Sequence, residues 1–340
     1  MPSRHVSICS ILFVLFFFAA ATAVPAVAEA EQPPDVESAA DDWWAPTYLI
    51  DYGIVAAGAT GYIVGERLTP RYDALIGPSY DPDDPAAIFD DDTVGRTYVE
   101  QGPGETFPES WLQLTMIGVG LSVAGLETVR LVRGEGTAHQ LHDAVVGYAE
   151  ATAITATATS LSKPFFGRLR PDFADRALRY HCSDDPDRFD EYCDDYRDRP
   201  LSEDPEQADH LLLDGRRSFI SGHSSHSFNT FTYASLVVGG HYVWGEEATG
   251  ATRIAGIGAQ TLMMGAAAFI SGSRLVDGRH HTADVVAGSL VGLGVANLSY
   301  WRRFDTTGAV RTAETDDDSG LQMALQPFGP GPGASLVLTY

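Results

Sequence analysis

Three short stretches place basic, hydroxyl and imidazole side chains beside long apolar runs. The first is Lys163-Pro-Phe-Phe-Gly-Arg168-Leu-Arg170-Pro171, with Pro171 expected to stop the preceding helix. The second is Ser221-Gly222-His223, and the third is Ser273-Arg274 followed by His280 and Asp284. Lys163, Arg170 and Arg274 are three cations of the kind that grip an oxyanion. Ser221-Gly222 before an apolar run would point backbone N–H groups at the same anion. Asp284 follows His280 by four residues, within reach of an imidazole one helical turn away. A carboxylate there fixes the tautomer and leaves the other ring nitrogen free to attack. Lys163 is the only lysine in a chain whose other 21 basic residues are arginine, so a compact point charge is kept at this place.

Each stretch also has a plainer reading. A Lys or Arg at a helix end bonds the last carbonyls, Ser before a helix is an N-cap, and a His/Asp pair can be purely structural. His223, His226, His280 and His281 with Asp284 could ligate a metal. Three cations around the same site favour a bound oxyanion over a divalent cation, so no metal is expected.

Six apolar segments are long enough to be the helices that carry these stretches: 52–65, 111–132, 144–162, 226–244, 254–270 and 284–301. No strand-period pattern competes with them. Two acidic insertions, around Asp81–Asp92 and from Asp172 to Arg217, read as surface loops. The C-terminal runs 321–328 and 334–340 flank Gly329-Pro-Gly-Pro-Gly333 and read as a β-hairpin. The expected fold is an all-α six-helix bundle with acidic loop insertions, a hairpin-like tail and the chemistry at one end. The expected divisions are a signal peptide (1–28), a lead-in with the first helix and an acidic loop (29–110), a core (111–301) and a tail (302–340).

In order and spacing, Lys163-x6-Arg170-Pro171, Ser221-Gly222-His223 and Ser273-Arg274-x5-His280-x3-Asp284 resemble the three-part signature of the type 2 phosphatidic acid phosphatase and vanadium haloperoxidase superfamily. The likeness covers roughly Trp111 to Trp301 and departs at Ile220, where the family usually has proline. The wording around the three parts is closest to the lipid phosphate phosphatases, which also carry cysteines between the first two parts. The resemblance implies that Lys163, Arg170 and Arg274 bind phosphate, helped by Ser221 and the Gly222 N–H. It implies that His280 attacks phosphorus, that Asp284 orients it and that His223 protonates the leaving group. Arg168, His226 and His281 lie outside the signature and read as supporting residues. The implied activity is a phosphomonoesterase that needs no cofactor, acting on a phosphatidic acid-like lipid phosphate. Alternatives with the same site are an undecaprenyl diphosphate-type phosphatase, a soluble nonspecific acid phosphatase, and a haloperoxidase holding vanadate on His280. A scaffold with a decayed site fits poorly with every reactive residue being present.

The composition bounds the setting. A hydrophobic fraction of 44% supports a real core, and the net charge, 22 − 46 = −24, argues against nucleic acid as a partner. The expected partners are a phosphorylated lipid or small phosphate ester, with membrane contact. Arg4 and His5 precede the apolar run 11–20 and Ala26-Val27-Ala28, which reads as an export signal cleaved after Ala28, or else as an uncleaved anchor. That places the protein on the periplasmic face of the envelope, soluble or membrane-embedded. Export would leave Cys182 and Cys193 as an even pair suited to one disulfide, with two free thiols as the alternative.

Overall fold

A computed structural model of the protein describes residues 46–88, 105–184, 193, 205–245 and 248–311. These residues form eight α-helices: α1 (Pro46–Arg67), α2 (Glu109–Val132), α3 (Ala138–Phe166), α4 (Phe173–Asp184), α5 (Pro205–Gly215), α6 (Gly222–Tyr242), α7 (Gly250–Val276) and α8 (Thr282–Trp301). The six apolar segments are α1, α2, α3, α6, α7 and α8. The second acidic insertion is not simply a loop, because it contributes α4 and α5. The expected signal peptide and hairpin tail lie outside the described residues. Among those residues the one piece of β pairing is an isolated bridge between Phe304 and Val310.

Helix α6 is the axis of the bundle, packed by α2, α3, α7 and α8. Phe231, Tyr233, Leu236 and Val237 of α6 are buried with Val123, Leu126, Met263, Ile270 and Tyr300. The contact between α6 and α8 sets the site, since each of these helices begins beside a candidate histidine. It depends on the absence of side chains: a Cβ on Gly288 would lie 2.6 Å from the Ser221 carbonyl oxygen, and one on Gly292 would strike the backbone of Ser225. Similarly, Gly58, Gly61 and Gly65 share one face of α1 and let it lie against Ala153, Thr157 and Ser160 of α3.

The helix ends that meet at the site are capped locally. Helix α3 runs through Pro164 and ends at Gly167, whose φ of 60° is one that glycine adopts without a steric cost. The stop therefore comes four residues before Pro171. Ser221 is the N-cap of α6, and Asp284 caps the start of α8 by accepting from the His281 N–H at 3.0 Å. Helix α4 buries Phe173, Ala174, Ala177 and Leu178 against Tyr80 and Leu212, and its last turn is tied down by a disulfide between Cys182 and Cys193.

Among the described residues three helices, α2, α7 and α8, are long and apolar enough to cross a membrane. Their outward faces are apolar as well: Leu114, Ile117 and Leu121 on α2, Ile254, Leu262 and Phe269 on α7, and Val286, Leu290 and Leu298 on α8 are exposed. Such a belt is costly in water and matches lipid.

Candidate active site

The C-terminal ends of α1, α3 and α7 and the N-terminal ends of α2, α6 and α8 come together at one end of the bundle. They enclose a cavity of about 490 Å³ whose walls include Lys163, Arg170, Gly222, His223, Arg274 and His280. Residues of all three motif stretches thus line one space. Ser221 and Asp284 are fully buried behind this wall. Ser221 Oγ caps α6, receiving the Ser224 N–H at 3.4 Å and the Ser224 hydroxyl at 3.0 Å. The Ser221 N–H donates to the Asp284 carbonyl at 3.1 Å, so the starts of α6 and α8 are tied together.

His280 is held by a backbone group. Its Nδ1 lies 2.7 Å from the Ser218 carbonyl oxygen, and the nearest Asp284 oxygen is 3.8 Å away. A carbonyl can only accept, so Nδ1 carries the proton and Nε2 keeps its lone pair. His280 precedes α8 instead of lying on it, which is why the i,i+4 spacing does not produce a direct bond. Asp284 is engaged elsewhere, accepting from Arg168 Nη1 at 2.7 Å and from Ser218 Oγ at 2.5 Å. It supports His280 through Ser218. Burial is the main cause that pushes the His280 imidazole down to about 4, partly offset by Asp284 and reinforced by Arg170 and Arg274. The ring is therefore neutral at physiological pH.

The cations are held by carboxylates that sequence reasoning did not single out. Arg170 donates from Nη2 to Asp214 Oδ1 at 2.8 Å and from Nε to the Asp214 carbonyl at 2.9 Å. Arg176 takes the other Asp214 oxygen at 2.9 Å. Burial alone would raise the Asp214 carboxyl, but Arg170, Arg176 and Lys163 outweigh it and hold it well below the usual carboxylate range. Lys163 faces Glu66 at 4.0 Å, and Arg217 pairs with the same carboxylate at 2.9 Å. Arg279, adjacent to His280 and almost fully buried, pairs with Glu105 at 2.9 Å. Asp214 arrives on α5 and Glu66 on α1. No local pattern sets either apart from the other acidic residues of the chain.

A strap formed by residues 105–107 runs beside the cavity, with Glu105 in its wall. The Phe107 carbonyl accepts from Arg274 Nη1 at 2.7 Å and from His223 Nε2 at 3.1 Å. His223 therefore carries its proton on Nε2. Thr106 anchors the strap by donating from its hydroxyl to Asp277 at 2.5 Å. Of the residues outside the signature, Arg168 and His281 are supporting: His281 Nε2 donates to the Leu169 carbonyl at 3.0 Å. His226 instead lines the cavity.

Residues 144–307 match the family model described as "PAP2 superfamily". That segment, just under half of the chain, is similar to the PAP2 superfamily. Among curated relatives, lipid phosphate phosphatase 2 of Arabidopsis thaliana is 28% identical over 190 residues, covering 56% of this chain and 60% of that protein. Diacylglycerol pyrophosphate phosphatase 1 of Saccharomyces cerevisiae is 32% identical over 164 residues, covering 48% of this chain and 53% of that protein. Lipid phosphate phosphatase 1 of Arabidopsis thaliana is 30% identical over 162 residues, covering 48% and 45%. The chain thus spans 45% to 60% of the length of these relatives. No solved structure gives a significant match. The matched segment begins inside α3 and ends just beyond α8, so it contains all three motif stretches.

Proposed function

We propose that the protein is a phosphomonoesterase that hydrolyses a lipid phosphate through a phosphohistidine at His280. The observation that carries this reading is the cavity itself, in which a neutral His280 with a free Nε2 faces Lys163, Arg170, Arg274 and the start of α6. The relatives named as lipid phosphate and diacylglycerol pyrophosphate phosphatases add to it, as does the apolar belt on α2, α7 and α8, whose outer faces would meet the bilayer. The disulfide favours an oxidising compartment for the site.

In the first step, Nε2 of His280 forms a bond to phosphorus as the bond from phosphorus to the leaving alkoxide breaks. Lys163, Arg170, Arg274 and the Gly222 N–H bind the phosphoryl oxygens and offset their charge in the transition state. In the substrate complex, where the negative charge of the bound phosphate favours the imidazolium, His223 releases the Phe107 carbonyl and gives its Nε2 proton to the alkoxide, becoming a neutral imidazole. In the second step, His223 takes a proton from water, the water oxygen bonds to phosphorus, and the bond from nitrogen to phosphorus breaks. Free phosphate and the neutral His280 return.

Phosphate release from phosphatidic acid in mixed micelles with excess EDTA tests this reading, run beside His280→Ala. Release that survives EDTA and is lost in the variant is the expected result. No release by the wild-type protein would remove phosphatidic acid as the substrate. Loss of release with EDTA would remove the metal-free route.

A further inference from the structure

Two donors that would meet substrate are already engaged. Arg274 Nη1 and His223 Nε2 both donate to one oxygen, the Phe107 carbonyl, at 2.7 and 3.1 Å. In the proposed reaction Arg274 binds a phosphoryl oxygen and His223 meets the leaving oxygen on the same phosphorus. A single backbone oxygen thus holds the donors that two neighbouring substrate oxygens need. Glu105 repeats the pattern with a negative charge. Its Oε1 lies 2.9 Å from Arg279 Nη2 and 3.4 Å from Arg274 Nη2, in the cavity wall.

These contacts compete with a bound phosphate. An Nε2–H directed at the Phe107 carbonyl is not available to a leaving alkoxide. A phosphate on Arg274 would also set its charge beside Glu105 on the same guanidinium, and like charges repel strongly away from bulk water. The strap that carries both groups is clipped on one side and free of the helix on the other. Thr106 holds Asp277, which ends α7 three positions after Arg274: its hydroxyl donates at 2.5 Å, and its N–H lies 3.2 Å from both carboxylate oxygens. Helix α2 closes its first turn on the Pro108 carbonyl, which accepts from the Trp111 and Leu112 N–H groups at 3.0 and 3.2 Å. The strap precedes that turn, so it can move without unwinding α2.

Resting on the phosphatase reading, we infer that residues 105–107 are an autoinhibitory latch that occupies the phosphate-binding donors in place of substrate. The Phe107 carbonyl stands in for a substrate oxygen and the Glu105 carboxylate for the phosphate charge. With no anion bound, these groups keep the buried Arg274 guanidinium paired. The clip between Thr106 and Asp277 sets how often the latch is open. Only the open fraction binds phosphate, so the apparent affinity is the intrinsic one reduced by that fraction.

Calorimetric binding of inorganic phosphate to the full-length protein in detergent tests the inference, run beside Thr106→Val, which removes the hydroxyl and keeps the shape. The variant is expected to bind phosphate about fivefold more tightly, the worth of one hydrogen bond. Thr106→Ser, which keeps the hydroxyl, should match the wild-type protein. In the wild-type protein, phosphate should speed hydrogen exchange of the Thr106 amide, because binding opens the latch. Unchanged or weaker phosphate binding by Thr106→Val overturns the inference: a strap that only positions His223 would give that result, with a fall in kcat. Slower exchange at Thr106 on adding phosphate overturns it as well, as does failure of both the wild-type protein and Thr106→Val to bind phosphate. Hydrolysis is measured separately, so tighter phosphate binding by the variant with no ester cleaved by either protein would count against the phosphatase reading alone.

Discussion

Nδ1 of His280 donates to the carbonyl oxygen of Ser218 at 2.7 Å, and this backbone contact fixes the tautomer that leaves Nε2 free. Where a carboxylate is the direct partner of a catalytic histidine, replacing it with the amide lowers kcat by about 10⁴, because the wrong tautomer results. Here Asp284 is 3.8 Å from the ring and acts through Ser218 and Arg168. Asp284→Asn should therefore lower kcat by only about 10²-fold, while His280→Ala removes turnover. Steady-state kinetics on the two variants decide it, and a loss near 10⁴ for Asp284→Asn would restore Asp284 as the direct orienting group.

The His280 ring should stay neutral well below the pH at which an ordinary histidine takes up a proton. Burial lowers its value to about 4, against about 6.5 for an unperturbed imidazole. As pH falls from 8 to 5, the folded protein keeps His280 unprotonated while an unfolded chain would begin to charge it. The contribution of this residue therefore opposes folding increasingly below pH 6.5. Nitrogen-15 spectra of histidine-labelled protein, assigned with His280→Gln, should show a constant Nδ1–H tautomer from pH 8 to 5. A titration centred near 6.5 would show that the ring is open to solvent.

How much of this site could be read from the residues alone depended on the length scale of each signal. The helices α1, α2, α3, α6, α7 and α8 announce themselves as long apolar runs, and the reactive residues cluster at their ends within a few positions of one another. Helix α4 is short and mostly polar. Its buried stripe of Phe173, Ala174, Ala177 and Leu178 is a helical pattern, yet it is only two turns long and lies inside an acidic stretch. Helix α5 is shorter still. The contacts of Asp214 with Arg170 and of Glu105 with Arg279 join positions 44 and 174 residues apart by direct subtraction. Nothing local separates those carboxylates from the other acidic side chains. The Ser218 carbonyl as the nearer partner of His280 had no local signal: α8 starts after His280, so Asp284 lies 3.8 Å from the ring while a residue 62 positions away lies at 2.7 Å.

Asp214 is a positioning residue for Arg170. It takes one guanidinium nitrogen on its carboxylate and another on its own carbonyl, and Arg176 holds the remaining oxygen from behind. Asp214→Asn weakens the charged contacts to both arginines while keeping the backbone bond. The expected effect is a fall in kcat/KM of about tenfold, the scale of one charge-assisted hydrogen bond. The affinity for inorganic phosphate should fall in parallel, because in the proposed reaction Arg170 binds the phosphoryl group. Unchanged phosphate affinity, with the loss confined to stability, would reduce Asp214 to a structural role.

The opposite end of the bundle holds a second set of buried charges, and these bear on stability. Glu150 of α3 accepts from Arg302 and, at 2.6 Å, from Arg303. Asp51 of α1 takes the same two arginines at 2.7 and 2.9 Å, and Asp143 lies 3.5 Å from Arg303. Three carboxylates against two guanidinium groups join α1, α3 and the end of α8. Arg302 is 40% exposed, so its share is screened by water, whereas Arg303 is 6% exposed and Glu150 4%. Removing one member of such a buried pair leaves the other without compensation, at a cost of about 3–5 kcal/mol. Glu150→Ala should lose stability on that scale, and adding Arg303→Met should not recover it, because Asp51 and Asp143 would then lose their buried partner. Both effects are read from unfolding midpoints in detergent. A loss below about 1 kcal/mol for Glu150→Ala would mean that Asp51 and Asp143 alone suffice to hold Arg303, and that Glu150 adds little to the joint between α3 and α8.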